Sequence, residues 1–121
     1  MPEMNETNHA GEFVVSEGNG SISRETVTIL NGRTLEPGTV LGKITSSGKY
    51  REIDPAATSG AEVAVAILYD HVDASSGDAV VVVIHRLAEV NAGRLVFDAA
   101  VTDAQKTTAL GQLADQNIIA R

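Results

Sequence analysis

The most informative part of the chain for its fold is Arg33-Thr34-Leu35-Glu36-Pro37-Gly38-Thr39-Val40-Leu41-Gly42-Lys43. Proline followed by glycine suits the two central positions of a type II turn, because proline fixes the first φ and glycine accepts the positive φ of the second. The residues after this turn favour a strand, in which Gly42 indicates a β-bulge or a close backbone contact. The stretch therefore predicts a turn that leads directly into a strand of a β-rich body.

Further strands are predicted on both sides of this turn. Residues 23–30 alternate apolar and threonine positions as a half-buried strand does, and Asn31-Gly32 after them predicts a type I′ hairpin. Residues 62–69 and 79–85 are nearly continuous apolar runs, which indicates strands covered on both faces. Because residues 80–84 would aggregate if exposed, we expect the domain core or a subunit interface to cover them.

The C-terminal part of the chain predicts one helix. Thr102 and Gln105 have the spacing of a capping box, in which the two side chains satisfy free amides at a helix start. Leu110, Leu113, Ala114 and Asn117 follow at helical spacing and predict a helix of about 15 residues with a narrow apolar stripe. The predicted fold class is therefore mainly β (α+β), a body of short hairpins with one C-terminal helix.

The opening segment differs in composition from the body. Residues 1–11 are polar, as is typical of a disordered chain end. Phe13-Val14-Val15 then forms an apolar, β-prone triplet, which is either the first strand of the body or an anchor that adds a strand to a partner's sheet. We therefore divide the chain into a flexible arm, residues 1–16, and a single β-rich domain, residues 17–121.

Composition excludes several classes of function. The chain has 121 residues, a net charge of −7, no cysteine and four aromatic residues that are not interleaved with Lys or Arg. Disulfides and thiolate sites are absent, and neither the charge nor the aromatic pattern suits nucleic-acid binding. No signal-peptide pattern or apolar stretch of membrane-spanning length is present, so we expect no membrane partner and a chain that stays where it is made.

One loop offers a possible metal site. His71 lies among three aspartates within residues 70–78, and such side chains can bind a divalent cation. Their spacing fits no calcium-binding loop, and polar hairpin loops commonly contain these residue types. An ordinary polar loop is the favoured interpretation, and no metal ligands are predicted.

Catalytic and carrier chemistry find little support in the residues. His85 and Glu89 could form a base and its orienting partner, but no nucleophile motif accompanies them. Small β-barrels that carry lipoyl or biotinyl groups present a lysine at a hairpin tip, and neither Lys43 nor Lys49 has that context. We therefore predict no enzymatic activity, no cofactor and no catalytic residue.

Short stretches spread over nearly the whole chain carry a resemblance to a known family. They are Gly11-Glu12-Phe13, Ser16-Glu17-Gly18-Asn19-Gly20, Ser23-Arg24-Glu25-Thr26-Val27-Thr28, Leu35-Glu36-Pro37-Gly38-Thr39-Val40-Leu41-Gly42-Lys43, Tyr50, Asp54-Pro55-Ala56-Ala57, Ala66-Ile67-Leu68-Tyr69-Asp70, Ala88-Glu89-Val90-Asn91 and Ala104-Gln105-Lys106. In this order they resemble the bacteriophage head decoration protein family, the group that contains the lambda capsid-stabilising protein.

The resemblance implies a β-clip-like body assembled as a homotrimer. Such trimers bind the outer surface of the expanded head at local threefold positions and stabilise it against the pressure of packaged DNA. In the family the N-terminal arm is disordered in solution and orders by pairing with the major capsid protein. We accordingly expect the capsid-binding residues to be Glu12, Phe13, Val14, Val15 and Ser16.

The resemblance also implies a location and leaves alternatives open. A decoration protein is a structural component of the virion, found on the outer surface of the capsid after synthesis in the host cytoplasm. The alternatives are a small β-barrel carrier and a generic trimeric structural module of a phage tail or a cellular shell.

Overall fold

The computed structural model describes residues 11–18 and 22–121. Its strands are β1 (Val14–Glu17), β2 (Arg24–Ile29), β3 (Thr34–Leu35), β4 (Val40–Lys43), β5 (Tyr50–Glu52), β6 (Ala66–Leu68), β7 (Val72–Asp73), β8 (Ala79–Ile84), β9 (Ala88–Val90) and β10 (Ile118–Ala120). A 3₁₀ helix spans Ala92–Arg94, and the helix α1 spans Asp103–Asp115. The predicted mainly β class with a C-terminal helix is confirmed. The helices of the described part are too short or too polar to span a bilayer.

Five strands close into a barrel in the order β2-β5-β4-β6-β8. β2 and β8 close it by antiparallel pairing over six residue pairs, from Arg24 opposite Ile84 to Ile29 opposite Ala79. Leu41, Leu68 and Val83 are fully buried in the core that fills this barrel. Because a closed barrel has no free strand edges, its strands need no further pairing partner.

A second core lies between the outside of the barrel, a small sheet and helix α1. The small sheet has the order β1-β9-β10, with β1 antiparallel and β10 parallel to β9. Ile67 and Ile84 lie opposite each other on β6 and β8 and belong to this second core, whereas their neighbours Leu68 and Val83 belong to the barrel core. Both faces of these two strands are therefore buried at this point.

The turn predicted at Pro37-Gly38 is confirmed. Gly38 has a φ of 91°, and the Thr39 amide donates to the Glu36 carbonyl oxygen at 3.2 Å, as a type II turn requires. The close contact predicted at Gly42 is also present, since a Cβ there would lie 2.5 Å from the carbonyl oxygen of Ala61. Glycine is needed at this position because the backbone of the neighbouring segment fills the space.

The hairpin predicted at Asn31-Gly32 is wrong. β2 pairs with β8 and β5, whereas β3 pairs with β7. The Asn31 amide donates to the Asp78 carboxylate at 2.9 Å, and the Gly32 amide donates to the Ala74 carbonyl at 2.7 Å. The turn residues thus bond to a distant loop, which directs the chain away from β2 instead of back along it.

Within the described residues, the domain core covers both faces of the run at residues 79–85 only in its second half, so cover by a subunit interface stays a prediction for the first half. Val83 and Ile84 are fully buried, but Val80 is 71% exposed and Val82 is 39% exposed. The second core reaches only the end of β8. The outward side chains at the start of β8 remain uncovered within the described residues.

Helix α1 begins as predicted. The Thr102 hydroxyl accepts from the Gln105 amide at 3.2 Å, and the Gln105 side chain accepts from the Thr102 amide at 2.8 Å. Its buried residues are Ala109 and Leu113, whereas Ala114 is exposed. The helix ends because the chain turns at residue 117 and returns to the core as β10.

Candidate functional site

The five residues predicted to bind a partner do not share one surface. Phe13 is fully buried in the second core, and Val14 packs partly against that core. Val15 is 58% exposed, and Glu12 and Ser16 are also exposed. The sequence left open whether Phe13-Val14-Val15 is the first strand of the body or an anchor for a partner. In this structure Val14 and Val15 lie in strand β1, and Phe13 contributes a side chain to the core.

This segment is fixed to the body along its length. The Gly11 amide donates to the Tyr69 carbonyl at 2.9 Å, the Asn91 amide donates to the Phe13 carbonyl at 2.7 Å, and the Gly18 amide donates to the Leu87 carbonyl at 3.0 Å. β1 runs across the predicted boundary between residues 16 and 17. Residues 11–16 therefore lie with the domain, and the capsid-binding role assigned to them stays a prediction.

An arginine joins β1 to the barrel. Two nitrogens of Arg24 donate to the two carboxylate oxygens of Glu17, at 2.7 and 3.1 Å. The guanidinium also donates to the Tyr69 hydroxyl at 3.1 Å and lies 4.3 Å from the centroid of that ring. The Glu17 carboxylate raises the pKa of Arg24 above its ordinary value. A bidentate pair of this kind orients both side chains, so it positions the end of β1 against β2.

β1 has one edge available for pairing. It pairs with β9 on one side, and within residues 11–18 and 22–121 no strand pairs with its other side. An unpaired edge presents amide and carbonyl groups that can accept an added strand from another chain. The pairing with β9 is irregular between Val14 and Ser16, and such an irregularity bends a strand locally. The arrangement can therefore bind an extended segment through its main chain.

A second exposed surface lies on the outside of the barrel. Val80 and Val82 project from β8 opposite Thr28 and Thr26 of β2. Neighbouring apolar side chains that remain exposed on a sheet commonly mark an interface with another protein. We call these four residues the β2–β8 patch. The alternation of exposed and buried valines along β8 was not readable from a run of identical residue types.

The comparison with known families decides the identity. The family model of the bacteriophage lambda head decoration protein D matches residues 3–118. The chain belongs to this family. The matched range includes the barrel, helix α1, strands β1 and β9 of the small sheet and the first residue of β10, and it confirms the resemblance found in the sequence. No curated protein matches the chain. Membership in the head decoration family makes the chain a structural protein of the phage virion, whose general partner is the capsid.

The loop considered for a metal uses its carboxylates internally. Asp73 accepts from the Ser75 hydroxyl at 2.6 Å and from the Ser75 amide at 3.0 Å, and these bonds lower the pKa of Asp73. Asp78 pairs with the Lys49 ammonium at 2.6 Å, which lowers the pKa of Asp78. In the described part of the chain, no three His, Asp or Glu side chains are arranged to hold a metal ion.

His85 and Glu89 are engaged with different partners. The His85 Nε2 lies 3.1 Å from the Tyr50 hydroxyl, and burial lowers the pKa of His85. Burial likewise raises the pKa of Tyr50. Glu89 instead accepts from the Arg121 guanidinium at 2.9 Å and from the Ser16 hydroxyl at 3.3 Å. The pair considered from the sequence as a base and its orienter is thus divided between two sites.

Proposed function

We propose that the protein binds the outer surface of the expanded phage head as a homotrimer at local threefold positions and stabilises the shell against the pressure of packaged DNA. The observation that carries this proposal is the match of the head decoration family over residues 3–118. The protein is made in the host cytoplasm and acts by binding, without catalysis. The carrier and the generic trimeric module gain no support from the family match.

The capsid contact is a strand pairing that uses the N-terminal segment. Residues 1–16 are the proposed binding region, in which Glu12, Val14, Val15 and Ser16 offer main-chain groups to a strand of the major capsid protein. The free edge of β1 and the 58% exposure of Val15 support this assignment. Phe13 supports capsid binding indirectly, because its buried side chain holds β1 in the position where the strand pairing would form.

Three copies make this contact strong enough. Ordering one residue costs about 1 to 2 kcal/mol of backbone entropy, whereas a hydrogen bond returns about 1 kcal/mol net. A short strand from a single subunit therefore binds marginally. Linking three such strands raises the local concentration of the second and third at their sites. Binding then depends on a partner with matching threefold geometry, which an assembled lattice has and a free capsid subunit lacks.

The β2–β8 patch is the proposed contact between subunits. Val80 and Val82 are exposed side by side on one strand, and the two threonines opposite them add methyl groups to the same surface. Burying apolar surface favours association by about 25 cal/mol per Å². A homotrimer built through this patch also covers the part of β8 most prone to aggregation.

The test of the function is co-sedimentation of the purified protein with expanded, undecorated shells and with unexpanded precursor shells. We expect saturable binding to expanded shells only, together with a trimer mass in solution. A monomer that binds neither shell contradicts the proposal.

The subunit contact has its own test. We expect the double variant Val80→Ser and Val82→Ser to shift the solution mass from trimer toward monomer. Val63→Ser is the matched control, because Val63 and Val82 are equally exposed, at 39%. A trimer that persists in the double variant at micromolar concentration assigns the contact to another surface.

A further inference from the structure

A groove away from β1 is not used by the contacts described so far. It has a volume of about 550 Å³ and is lined by residues 33–36, by Thr39, Glu52 and His71, and by residues 96–98. It therefore lies beside the β3–β7 pair, between the end of β5 and the segment that follows the 3₁₀ helix. None of its lining residues belongs to β1 or to the β2–β8 patch.

The floor of the groove is apolar and fixed. Leu35, Val96 and Phe97 are each only partly buried and line it. The Val96 amide donates to the Gly38 carbonyl at 2.8 Å, and the Val96 carbonyl accepts from the Val40 amide at 3.1 Å. Because the backbone is bonded in both directions beside the turn, the floor is formed before any partner arrives.

The walls of the groove carry excess negative charge. Glu52 pairs with Arg33 and also with Arg51, each at 3.0 Å, so its charge is neutralised, and the Arg33 and Glu52 side chains are only 19% and 17% exposed. Glu36 and Asp98 remain, and within the described residues neither carboxylate has a Lys or Arg within 4.0 Å. Among these same residues, the Asp98 side chain accepts only from the Ala100 amide, at 3.0 Å. The groove therefore combines an apolar floor with two carboxylates that lack a cationic partner.

Most of the protein's own cations are already paired with its own carboxylates. Of its nine Lys and Arg side chains, eight pair with carboxylates of the same chain, and the net charge is −7. A second copy would thus bring carboxylates to this groove more readily than cations. Charge complementarity favours a different, basic partner.

The ring of Phe97 also suits a cation. The Lys106 ammonium of the same chain already lies 5.7 Å from the ring centroid. Aromatic faces attract Lys and Arg groups at distances up to about 6 Å, and the aliphatic stems of these residues pack on apolar surface. A basic side chain can therefore pack its aliphatic stem on the floor of the groove and place its charged head group beside the carboxylates.

We propose that this groove binds a segment of the capsid shell that carries a Lys or Arg flanked by apolar residues. The apolar part lies on Leu35, Val96 and Phe97, and the cation binds the carboxylates of Glu36 and Asp98. The inference rests on the proposed function, because that function supplies the shell as the partner. It adds a contact that is independent of the strand pairing at β1.

The binding chemistry is tested with the purified protein and a probe peptide. Acetyl-Leu-Arg-Leu-amide is titrated while the backbone amide NMR signals are followed, and acetyl-Leu-Gln-Leu-amide is the neutral control peptide. We expect the Arg peptide to shift the amides of Val96 and Phe97, and the Gln peptide to bind about tenfold more weakly. The absence of shifts at the groove overturns the proposal.

Variants of the chain test whether the carboxylates of Glu36 and Asp98 bind the cation of the peptide. The double variant Glu36→Gln and Asp98→Asn removes both charges but retains an oxygen at position 98 to accept from the Ala100 amide. We expect it to bind the Arg peptide about tenfold more weakly than the wild type. Asp115→Asn removes one exposed carboxylate at the far end of α1, so it shows the effect of losing one negative charge outside the groove. Equal binding by the double variant and the wild type overturns the proposal.

Shell binding separates this inference from the function on which it rests. Co-sedimentation of the same variants with expanded shells should show weaker binding for the double variant and unchanged binding for Asp115→Asn. Wild-type levels of binding by the double variant refute the groove contact and leave the decoration function standing. Failure of the wild type to bind shells refutes the function itself. A change of solution mass in the double variant would assign the groove to a second copy and overturn the capsid partner.

Discussion

Phe13 decides whether the N-terminal segment belongs to the folded domain before the capsid is bound. Its side chain is fully buried in the second core, together with Val90, Leu113 and Ile118. Replacing a buried Phe with Ala costs about 3 to 5 kcal/mol, which is a large part of the roughly 5 to 15 kcal/mol that stabilises a domain. Val15→Ala, at a position that is 58% exposed, should change the free energy of unfolding by about 0.5 kcal/mol or less.

The assay is urea denaturation followed by far-ultraviolet circular dichroism. With a denaturant slope of about 2 kcal/mol per molar urea, a loss of about 3 to 5 kcal/mol lowers the midpoint for Phe13→Ala by about 1.5 to 2.5 M. All variants must be compared at one protein concentration, because trimer formation couples stability to concentration. We expect the Val15→Ala midpoint to remain near that of the wild type.

An unchanged midpoint for Phe13→Ala would refute this reasoning. Such a result, combined with loss of shell binding, would mean that Phe13 acts as an anchor that packs only on the capsid. Two deletions extend the test. Removal of residues 1–10 leaves every buried side chain described here in place, whereas removal of residues 1–16 deletes Phe13 and most of β1. We expect only the longer deletion to lower the midpoint of the free protein.

Two further predictions concern a glycine of the barrel and a buried histidine. Gly42→Ala places a Cβ 2.5 Å from the carbonyl oxygen of Ala61, so we expect thermal denaturation to show that the free energy of unfolding falls by about 1 to 3 kcal/mol. The control is Gly111→Ala, which has open space around it and should stabilise the helix by about 1 kcal/mol. Equal effects of the two variants would contradict the close contact at Gly42. Burial against Tyr50 lowers the folded-state pKa of His85, so the neutral imidazole is favoured in the folded state. The contribution of His85 to stability should therefore be complete above pH 6.5, the pKa of histidine in the unfolded chain, and should decline as the pH falls below that value. His85→Gln should remove that decline from urea midpoints measured between pH 7 and pH 5, and a wild-type midpoint that stays constant over this range would refute the assignment.

Local side-chain chemistry was readable from the sequence. The turn at Pro37-Gly38 and the capping box of Thr102 and Gln105 formed where predicted, because each depends on the conformations and hydrogen bonds of residues close together in the chain. The fold class followed from these signals and from the apolar runs.

Pairing partners were not readable in the same way. Asn31-Gly32 favours a tight hairpin, but its amides bond to a loop more than 40 residues away. The apolar run of β8 gave no sign of which valines face the core, since this depends on how far the second core extends over the barrel. Tertiary contacts override local preference at both positions.

The candidate site was predictable only in part. The apolar triplet after residue 12 identified the N-terminal strand, but a strand-forming sequence does not specify whether the sheet it joins lies in its own chain. The groove escaped notice because its lining comes from separated segments, and no sequence spacing links Glu36 to Asp98. What indicates a binding site in this groove is that the carboxylates of Glu36 and Asp98 lack a Lys or Arg partner. That observation requires the ion pairs of the folded chain.

The pairing of β2 with β8 also determines how the chain folds as it is synthesised. The paired residues are 50 to 60 positions apart in the sequence. Translation at about 5 to 20 residues per second therefore delivers β8 roughly 3 to 12 s after β2. During that interval β2 has no closing partner, and pairing across so long a separation is intrinsically slow. We therefore expect the yield of folded protein in the cell to depend on how well nascent chains are kept apart until the barrel closes.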